Sequence, residues 1–423
     1  MTARLPSALP LEIVAILCCG APAWAQGWDG EKASLIRNGI TPAIVYDGDV
    51  AATVSGGARR GTAYAGELHL QATFDGARLL DWPGAMLFVD GLVTHGGQPS
   101  GLAGDVQGVS SIAAPASAIL YEAWAQYNLS GNAVSLLAGR YDINTEFYRL
   151  AAADLFLNSS FGIGPEFALS GVAGPSTYPD TAVGARFDYK PMPNIVVRTA
   201  ILDGVPVDRP GGSSGLFESG DGVLLVSEIA WLDRPGAAGT AGNARTLIGR
   251  LSTLQPYADK IAIGGWHYTA SFPDLSAVDA SGQPARHRGS SGAYLLIDHV
   301  LYRDGDASRL SAFLQAGIGD GRVNRIGSYA GFGLAGAGFV PGRPSDQAGV
   351  AVAIAMNGGH FLEAQRALGT PAHAAESVIE LTYLAAIDER LVVQPDLQYV
   401  LHPGSDPKLD DALVFQLRFE VSL

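Results

Sequence analysis

The segment Leu413-Val414-Phe415-Gln416-Leu417-Arg418-Phe419-Glu420-Val421-Ser422-Leu423 decides how this chain folds. Leu413, Phe415, Leu417, Phe419, Val421 and Leu423 share one parity, and Gln416, Arg418, Glu420 and Ser422 share the other. Strand side chains alternate with period 2, so the segment is apolar on one side and charged on the other. A closed membrane barrel needs that pattern, with apolar atoms toward lipid and polar atoms toward a wet lumen. A soluble sandwich supplies the same alternation, so the rest of the chain must separate the two.

Composition favours the barrel. The 423 residues include 54 glycines, are 48% hydrophobic and only 16% charged, with a mean hydropathy of +0.17. Hydropathy at that level usually comes from transmembrane helices, which need about 20 consecutive apolar residues. Beyond the N-terminal region every apolar run is interrupted by charges or glycines. Short alternating stretches that cross in roughly 9–11 residues account for the same hydropathy. At the N-terminus, Arg4, the apolar stretch 8–19 and Ala23-Trp24-Ala25 have the order of a secretory leader and its small-x-small cleavage site. Residues 1–25 are therefore expected to be a signal peptide, and 26–423 a single barrel domain. Cys18 and Cys19 both fall in the leader, which leaves the exported part without disulfide or thiolate chemistry. The net charge of −14 argues against nucleic acid and against an anion-collecting pore, while tolerating neutral or cationic solutes.

Strand-like stretches recur at 42–54, 63–75, 86–95, 118–129, 133–141, 182–189, 195–202, 223–231, 244–251, 260–270, 292–302, 309–318, 328–340, 349–356, 378–386, 391–401 and 412–423. Single-chain bacterial barrels have an even strand number. The segment 244–251 is short and basic on both faces; without it sixteen remain, enough for an aqueous channel. The expected fold is an all-β, transmembrane antiparallel barrel. Links at 76–85, 130–132 and 190–194 are short, and those at 96–117, 142–181, 203–222 and 271–291 are long, as in periplasmic turns and outer loops. The longest, 142–181, carries Phe147, Tyr148, Leu155, Phe156, Leu157 and Phe161. Folding into the lumen is the natural way to bury that apolar area.

Parity then assigns faces. In 118–129, Ile119, Tyr121, Ala123 and Tyr127 fall on the lipid side, and Glu122, Trp124, Gln126 and Asn128 on the lumen side. In 182–189, Arg186 and Asp188 point inward, opposite Val183, Phe187 and Tyr189; in 391–401, Gln394, Asp396 and Gln398 point inward, opposite Val393, Leu397 and Tyr399. Amides and carboxylates match the hydroxyls of a sugar, and an indole can stack on a pyranose ring. The candidate solute contacts are Glu122, Trp124, Gln126, Arg140, Asp142, Phe161, Arg186, Asp188, Gln394, Asp396 and Gln398. Glu122, Arg140, Asp142 and Arg186 can equally form a salt-linked wall that only satisfies buried charge.

Longer motifs carry a resemblance. They are Glu376-Ser377-Val378-Ile379-Glu380-Leu381-Thr382-Tyr383, Gln394-Pro395-Asp396-Leu397-Gln398-Tyr399-Val400 with Pro403-Gly404, Gly139-Arg140-Tyr141-Asp142-Ile143-Asn144-Thr145-Glu146-Phe147, and Leu157-Asn158-Ser159-Ser160-Phe161-Gly162. Tyr178-Pro179 with Gly184, Asp203-Gly204-Val205-Pro206 and Gly342-Arg343-Pro344-Ser345-Asp346 accompany them. Together, from about Gly39 to Leu423, the chain resembles the carbohydrate-selective porins of Gram-negative outer membranes, the OprB-type family. The resemblance implies a sixteen-stranded barrel in outer-membrane lipid that passes monosaccharides and related neutral solutes down a gradient. It implies no cofactor and no enzyme activity, and a monomer or a homotrimer. The alternative from another class is an exported soluble β-sandwich that binds carbohydrate.

Other motifs are weaker. Gly331-Phe332-Gly333-Leu334-Ala335-Gly336 fits a dinucleotide fingerprint, but no helical periodicity follows, so a glycine-rich strand is expected. Gly211-Gly212-Ser213-Ser214-Gly215 fits a nucleophile elbow without the following helix. His267, His287 and His299 lack metal-ligand spacing, and no motif fixes two carboxylates at a glycosidase separation.

Overall fold

The computed structural model describes residues 23–206, 220–233, 258–305 and 308–423. A helix, Ala23–Arg37, precedes the sheet. Sixteen strands follow among the described residues: β1 Ile40–Ser55, β2 Gly61–Asp75, β3 Ala85–Gly96, β4 Ser117–Leu129, β5 Val134–Tyr141, β6 Ala182–Met192, β7 Ile195–Asp203 and β8 Val223–Leu232 in the first half. The second half is β9 Lys260–Val278, β10 Pro284–Asp304, β11 Ser308–Gly319, β12 Ile326–Ala337, β13 Gln347–Asn357, β14 Ala375–Ala386, β15 Leu391–Leu401 and β16 Ala412–Ser422. Each strand pairs with its sequence neighbours, and β1 pairs antiparallel with β16 to close the barrel. Closure removes every free sheet edge, as a lipid-embedded sheet requires, because hydrocarbon satisfies no backbone group. A soluble sandwich of two facing sheets is not what forms. No described helix is long and apolar enough to cross a membrane; the strands cross instead.

The segment 413–423 behaves as its alternation requires. Phe415 and Leu417 are 47% and 38% exposed on the outside, while Gln416, Arg418 and Glu420 are buried within. The outer face of the whole barrel repeats this pattern, with Leu70, Leu120, Ile229, Ile263, Ile318 and Leu381 all exposed. Water would oppose such a surface, and lipid solvates it. Substituting Arg for Phe415 is therefore expected to impair barrel assembly by about 2–4 kcal/mol near the midplane. Folding titrations into lipid vesicles would measure this, and wild-type stability of the variant would contradict the lipid-facing assignment.

Three expectations change. First, the β3–β4 ladder shifts register between Asp90 and Gly91, so that Asp90 faces Glu122 and Gly91 faces Leu120. Tyr121 is the extra residue of a bulge. It is fully buried, and its hydroxyl donates to Asp142 Oδ2 at 2.5 Å, while Leu120 takes the outer face at 53% exposure. A bulge inverts side-chain parity beyond it, which is why simple alternation misplaces Ile119 and Tyr121. Second, 271–291 is not an open loop. β9 and β10 continue as a long hairpin closed by residues 279–283. Beyond the lipid band the outer face meets water, so the ladder persists after its apolar alternation has stopped. Third, the link from β8 to β9 runs from Leu232 to Lys260 at the end of the barrel otherwise closed by short turns. The segment 244–251 falls there, outside the described residues, as do residues 1–22 and the motif 211–215. The glycine-rich motif 331–336 lies within β12, as expected.

Candidate functional site

Loop 142–181 leaves β5, enters the barrel and returns to β6. Its base is clamped by charge. Glu146 accepts from Arg186 Nε at 2.9 Å and Nη2 at 3.0 Å, and from the Tyr141 hydroxyl. Arg186 also donates to Ser135 Oγ (2.8 Å) and Gln126 Oε1 (2.9 Å). Next to it Arg198 donates to both oxygens of Asp188, at 2.8 and 2.9 Å, and to the Glu146 carbonyl at 2.8 Å. Burial alone would push the Glu146 carboxyl up, but Arg198 and Arg186 outweigh it and hold it below the usual range. Glu122 Oε1 accepts from the Asp142 N–H at 3.0 Å.

Past the base, the loop crosses the lumen without a sheet or long helix to satisfy its backbone, so the wall must do so. Glu228 accepts from Tyr148 N–H at 3.1 Å, and Asp298 from Ala152 N–H at 2.9 Å. Glu380 accepts from Leu157 N–H at 2.6 Å and Asn158 N–H at 3.1 Å. Wall amides serve the opposite polarity. Gln394 Nε2 donates to the Leu155 carbonyl at 2.7 Å, and Gln315 Nε2 to the Phe161 carbonyl at 2.8 Å. Gln398 Oε1 accepts from Asn158 Nδ2 at 3.1 Å. Inward carboxylates thus hold loop N–H groups, and inward amides hold loop carbonyls.

The loop's apolar residues fill the lumen beside β9–β12. Phe167 stacks on Trp266 at 4.2 Å between ring centroids, Tyr148 packs on Tyr294 at 4.5 Å, and Phe156 and Phe161 pack together at 5.0 Å and against Phe313. Each such buried side chain contributes roughly 1.5–3 kcal/mol. Glu166 sits in this dry region, where burial pushes its carboxyl up to about 7 and the Tyr148 hydroxyl donates to it at 2.9 Å. Gly317 on β11 leaves room for it, since a Cβ there would lie 1.8 Å from Glu166 Oε1.

The preceding outer loop, 97–116, also enters. Glu376 accepts from Val106 and Gln107 N–H groups, and Gln398 and Gln416 both donate to the Val109 carbonyl, at 2.9 and 2.6 Å. The two loops are joined by Ser159 N–H to the Gly108 carbonyl (2.8 Å) and Ser111 N–H to the Leu157 carbonyl (2.9 Å).

A water-accessible gap remains on the other side, with a cavity of about 160 Å³. Asp47, Glu67, His69, Arg418 and Glu420 border it from β16, β1 and β2, and Asp142, Asn144, Arg149, Asp154 and Asn158 from the loop. Of the residues singled out from sequence, only Asp142 borders this gap. Glu122, Gln126, Arg186, Asp188, Gln394, Asp396 and Gln398 face inward but lie in the clamps and wall, and Phe161 lies in the dry packing. Trp124 is 2% exposed and packs on Phe88 at 5.1 Å, away from the gap. Arg140 corrects an expectation outright. It pairs with Ala123, on the parity opposite to Trp124 and Gly139, so it faces outward and donates to the Thr181 carbonyl at 2.6 Å. The inward parity of Arg418 and Glu420 is plain in 413–423, and 45–53 and 67–71 alternate likewise. What sequence lacked was any sign that this stretch of wall, rather than β4–β6 or β15, stays uncovered.

Comparison with known proteins accords with this architecture. The model of the carbohydrate-selective porin, OprB family, matches residues 59–423. Porin B of Pseudomonas aeruginosa is 24% identical over 437 residues, spanning 94% of this chain and 90% of that protein. The high-pH structure of Pseudomonas putida OprB superposes with a TM-score of 0.80 at 20% identity, over 94% of this chain and 97% of that one. The low-pH structure of the same protein gives 0.57 at 16% identity, over 96% and 98%. Both structures speak to the fold. The family match over most of the chain, together with a closed sixteen-stranded barrel whose lumen is narrowed by its own loops, establishes that this chain belongs to the OprB family of carbohydrate-selective porins of the outer membrane.

Proposed function

We propose that solutes are selected in the gap between loop 142–181 and the wall of β16, β1 and β2, and that small neutral sugars cross it by diffusion without energy input. The observation that carries this is the donor and acceptor set around the gap. Arg149 and Asn158 offer N–H groups, and Asp142 offers carboxylate oxygens, while the Asn144 amide is spent on the Phe147 and Gly162 carbonyls and shapes the loop. Sugar hydroxyls both donate and accept, so such a ring of groups replaces hydration as the solute passes, while staying weak enough for release. The cavity of about 160 Å³ is many times the roughly 10–15 Å³ that one water needs. One small solute fits at a time. Glu122, Gln126, Arg186, Asp188, Gln394 and Gln398 contribute at one remove, by fixing the loop that forms one side of the gap. The leader 1–25 is removed before assembly, and outer-membrane lipid solvates the exterior band.

Current block in planar bilayers tests the location of the site. Arg149→Ala removes a donor at the gap and is expected to weaken glucose block about fivefold, the worth of one hydrogen bond of about 1 kcal/mol. Trp124→Ala should leave the block unchanged in channels that assemble. The reverse pattern would move selection to the β3–β4 wall.

A further inference from the structure

One carboxylate of loop 142–181 is placed unlike its neighbours. Glu146 meets Arg186 and Arg198, Asp154 pairs with Arg149, and Asp142 accepts from Tyr121 and from the Asn144 N–H. Glu166 is 0% exposed, its Oε1 accepts only from the Tyr148 hydroxyl at 2.9 Å, and its Oε2 is buried without a hydrogen-bond partner. Among the described residues no Lys, Arg or His pairs with it. The segment that carries it, with one helical turn at Pro165–Ala168, docks on the wall through rings. Phe167 stacks on Trp266, and Gly171 lies against Tyr268, where a Cβ would stand 2.7 Å from ring carbon Cζ. Trp266 Nε1 is also buried there without a partner. Apolar contact holds this dock, and the unmet polar atoms weaken it.

The surroundings offer an ionised Glu166 nothing. Tyr148 touches the carboxyl, and Tyr294 on β10 and Tyr329 on β12 stand around Tyr148. From β11 come Gly317 and Gln315, and from β9 Trp266 and Tyr268. The charges behind these rings are Glu228, which accepts from the Tyr294 hydroxyl at 2.9 Å, and Glu380, which acts on Tyr329. Both carry the wrong sign. Lys260 is held by Glu228 at 3.2 Å, and Arg198 by Asp188 at 2.8 Å. Burial therefore pushes the Glu166 carboxyl from 4.5 up to about 7, against the pull of the Tyr148 hydrogen bond.

We infer that Glu166 is the pin of a pH-operated latch: protonated, it holds segment 163–171 against β9–β11, and ionised, it lets that segment leave the wall and widen the lumen. A carboxylate in this dry contact has lost its water and gained no cation, whereas a released segment rehydrates it. The docked form therefore binds the proton more tightly than the released form. Docking is strongest below about pH 4.5, weakens by up to about tenfold per pH unit from there to about pH 7, and is level above. The rest of the loop stays tied, by Glu380 at the Leu157 and Asn158 N–H groups and by Ser176 Oγ on the Tyr141 carbonyl at 2.6 Å. Release is confined to the segment between those anchors.

Thiol labelling of the full barrel in lipid vesicles tests the latch. Ser170 is 0% exposed at the dock, and Ser281 is exposed at the tip of the β9–β10 hairpin. The labelling rate of Ser170→Cys relative to Ser281→Cys therefore follows the released fraction. Between about pH 5.5 and about pH 8.5 that ratio should rise roughly thirtyfold with Glu166 in place, and single-channel current should rise with it. Glu166→Gln keeps the hydrogen bond without the charge and should flatten both responses, although other lumen carboxylates still titrate. Gly317→Ala places a Cβ 1.8 Å from Glu166 Oε1 and should label fast at both pH values. A ratio that does not move with Glu166 in place, a rise that survives Glu166→Gln, or slow labelling of Gly317→Ala at the acid end each overturns the latch.

Discussion

Replacing residues 147–175 by a short Gly-Ser linker should raise single-channel conductance several-fold while the barrel still assembles. The segment supplies Phe147, Tyr148, Phe156, Phe161 and Phe167, which fill the lumen beside β9–β12. It also supplies the Leu157 and Asn158 N–H groups that span to Glu380 on the far wall. With it gone, Glu228, Asp298 and Glu380 face water and lose no hydrogen bond that water cannot replace. A sixteen-stranded barrel without an inserted loop is wide enough for an aqueous channel. Assembly should survive because the β5–β6 ladder, from Val134 opposite Tyr189 to Tyr141 opposite Ala182, lies outside the deletion. Conductance equal to wild type in planar bilayers would mean that ions pass by a route the loop does not narrow.

Glu146→Ala should cost about 3–5 kcal/mol, the loss that follows removal of one partner from a buried ion pair. Arg186 keeps Ser135 and Gln126 and lies 3.6 Å from Asp188, but loses its two-nitrogen contact. Arg198 keeps its fork on Asp188. The damage is local to the clamp at the loop base, so two readouts should move together: the unfolding midpoint in denaturant should fall, and open-channel current should become noisier as the loop loosens. Glu146→Gln retains acceptor geometry without the charge and should fall between the two. An unchanged midpoint in Glu146→Ala would show that Asp188 alone holds both guanidiniums.

The barrel itself was legible because its evidence is repeated and local. Sixteen of the seventeen alternating stretches match strands, and the one discarded on even-number grounds, 244–251, lies outside the described residues. Where alternation failed, a particular irregularity was responsible. Tyr121 occupies a bulge, and 271–291 continues a ladder in water, where no apolar face is required. The inward facing of Arg186, Asp188, Gln394, Asp396 and Gln398 followed from parity. Arg140 has no such parity argument behind it, and it faces the other way.

The amino-acid sequence by itself determined which side of each strand meets lipid, because that choice depends only on the two-residue repeat of an extended backbone. It also determined that 142–181 was too apolar to remain in water. Only the tertiary structure decided which stretch of inward wall stays open. Loop residues meet partners more than two hundred positions away, as Leu157 meets Glu380 and Gln394 meets Leu155. Carboxylates and amides that look alike in sequence are divided by those contacts into loop anchors and groups that border the gap, a division that no local pattern contains.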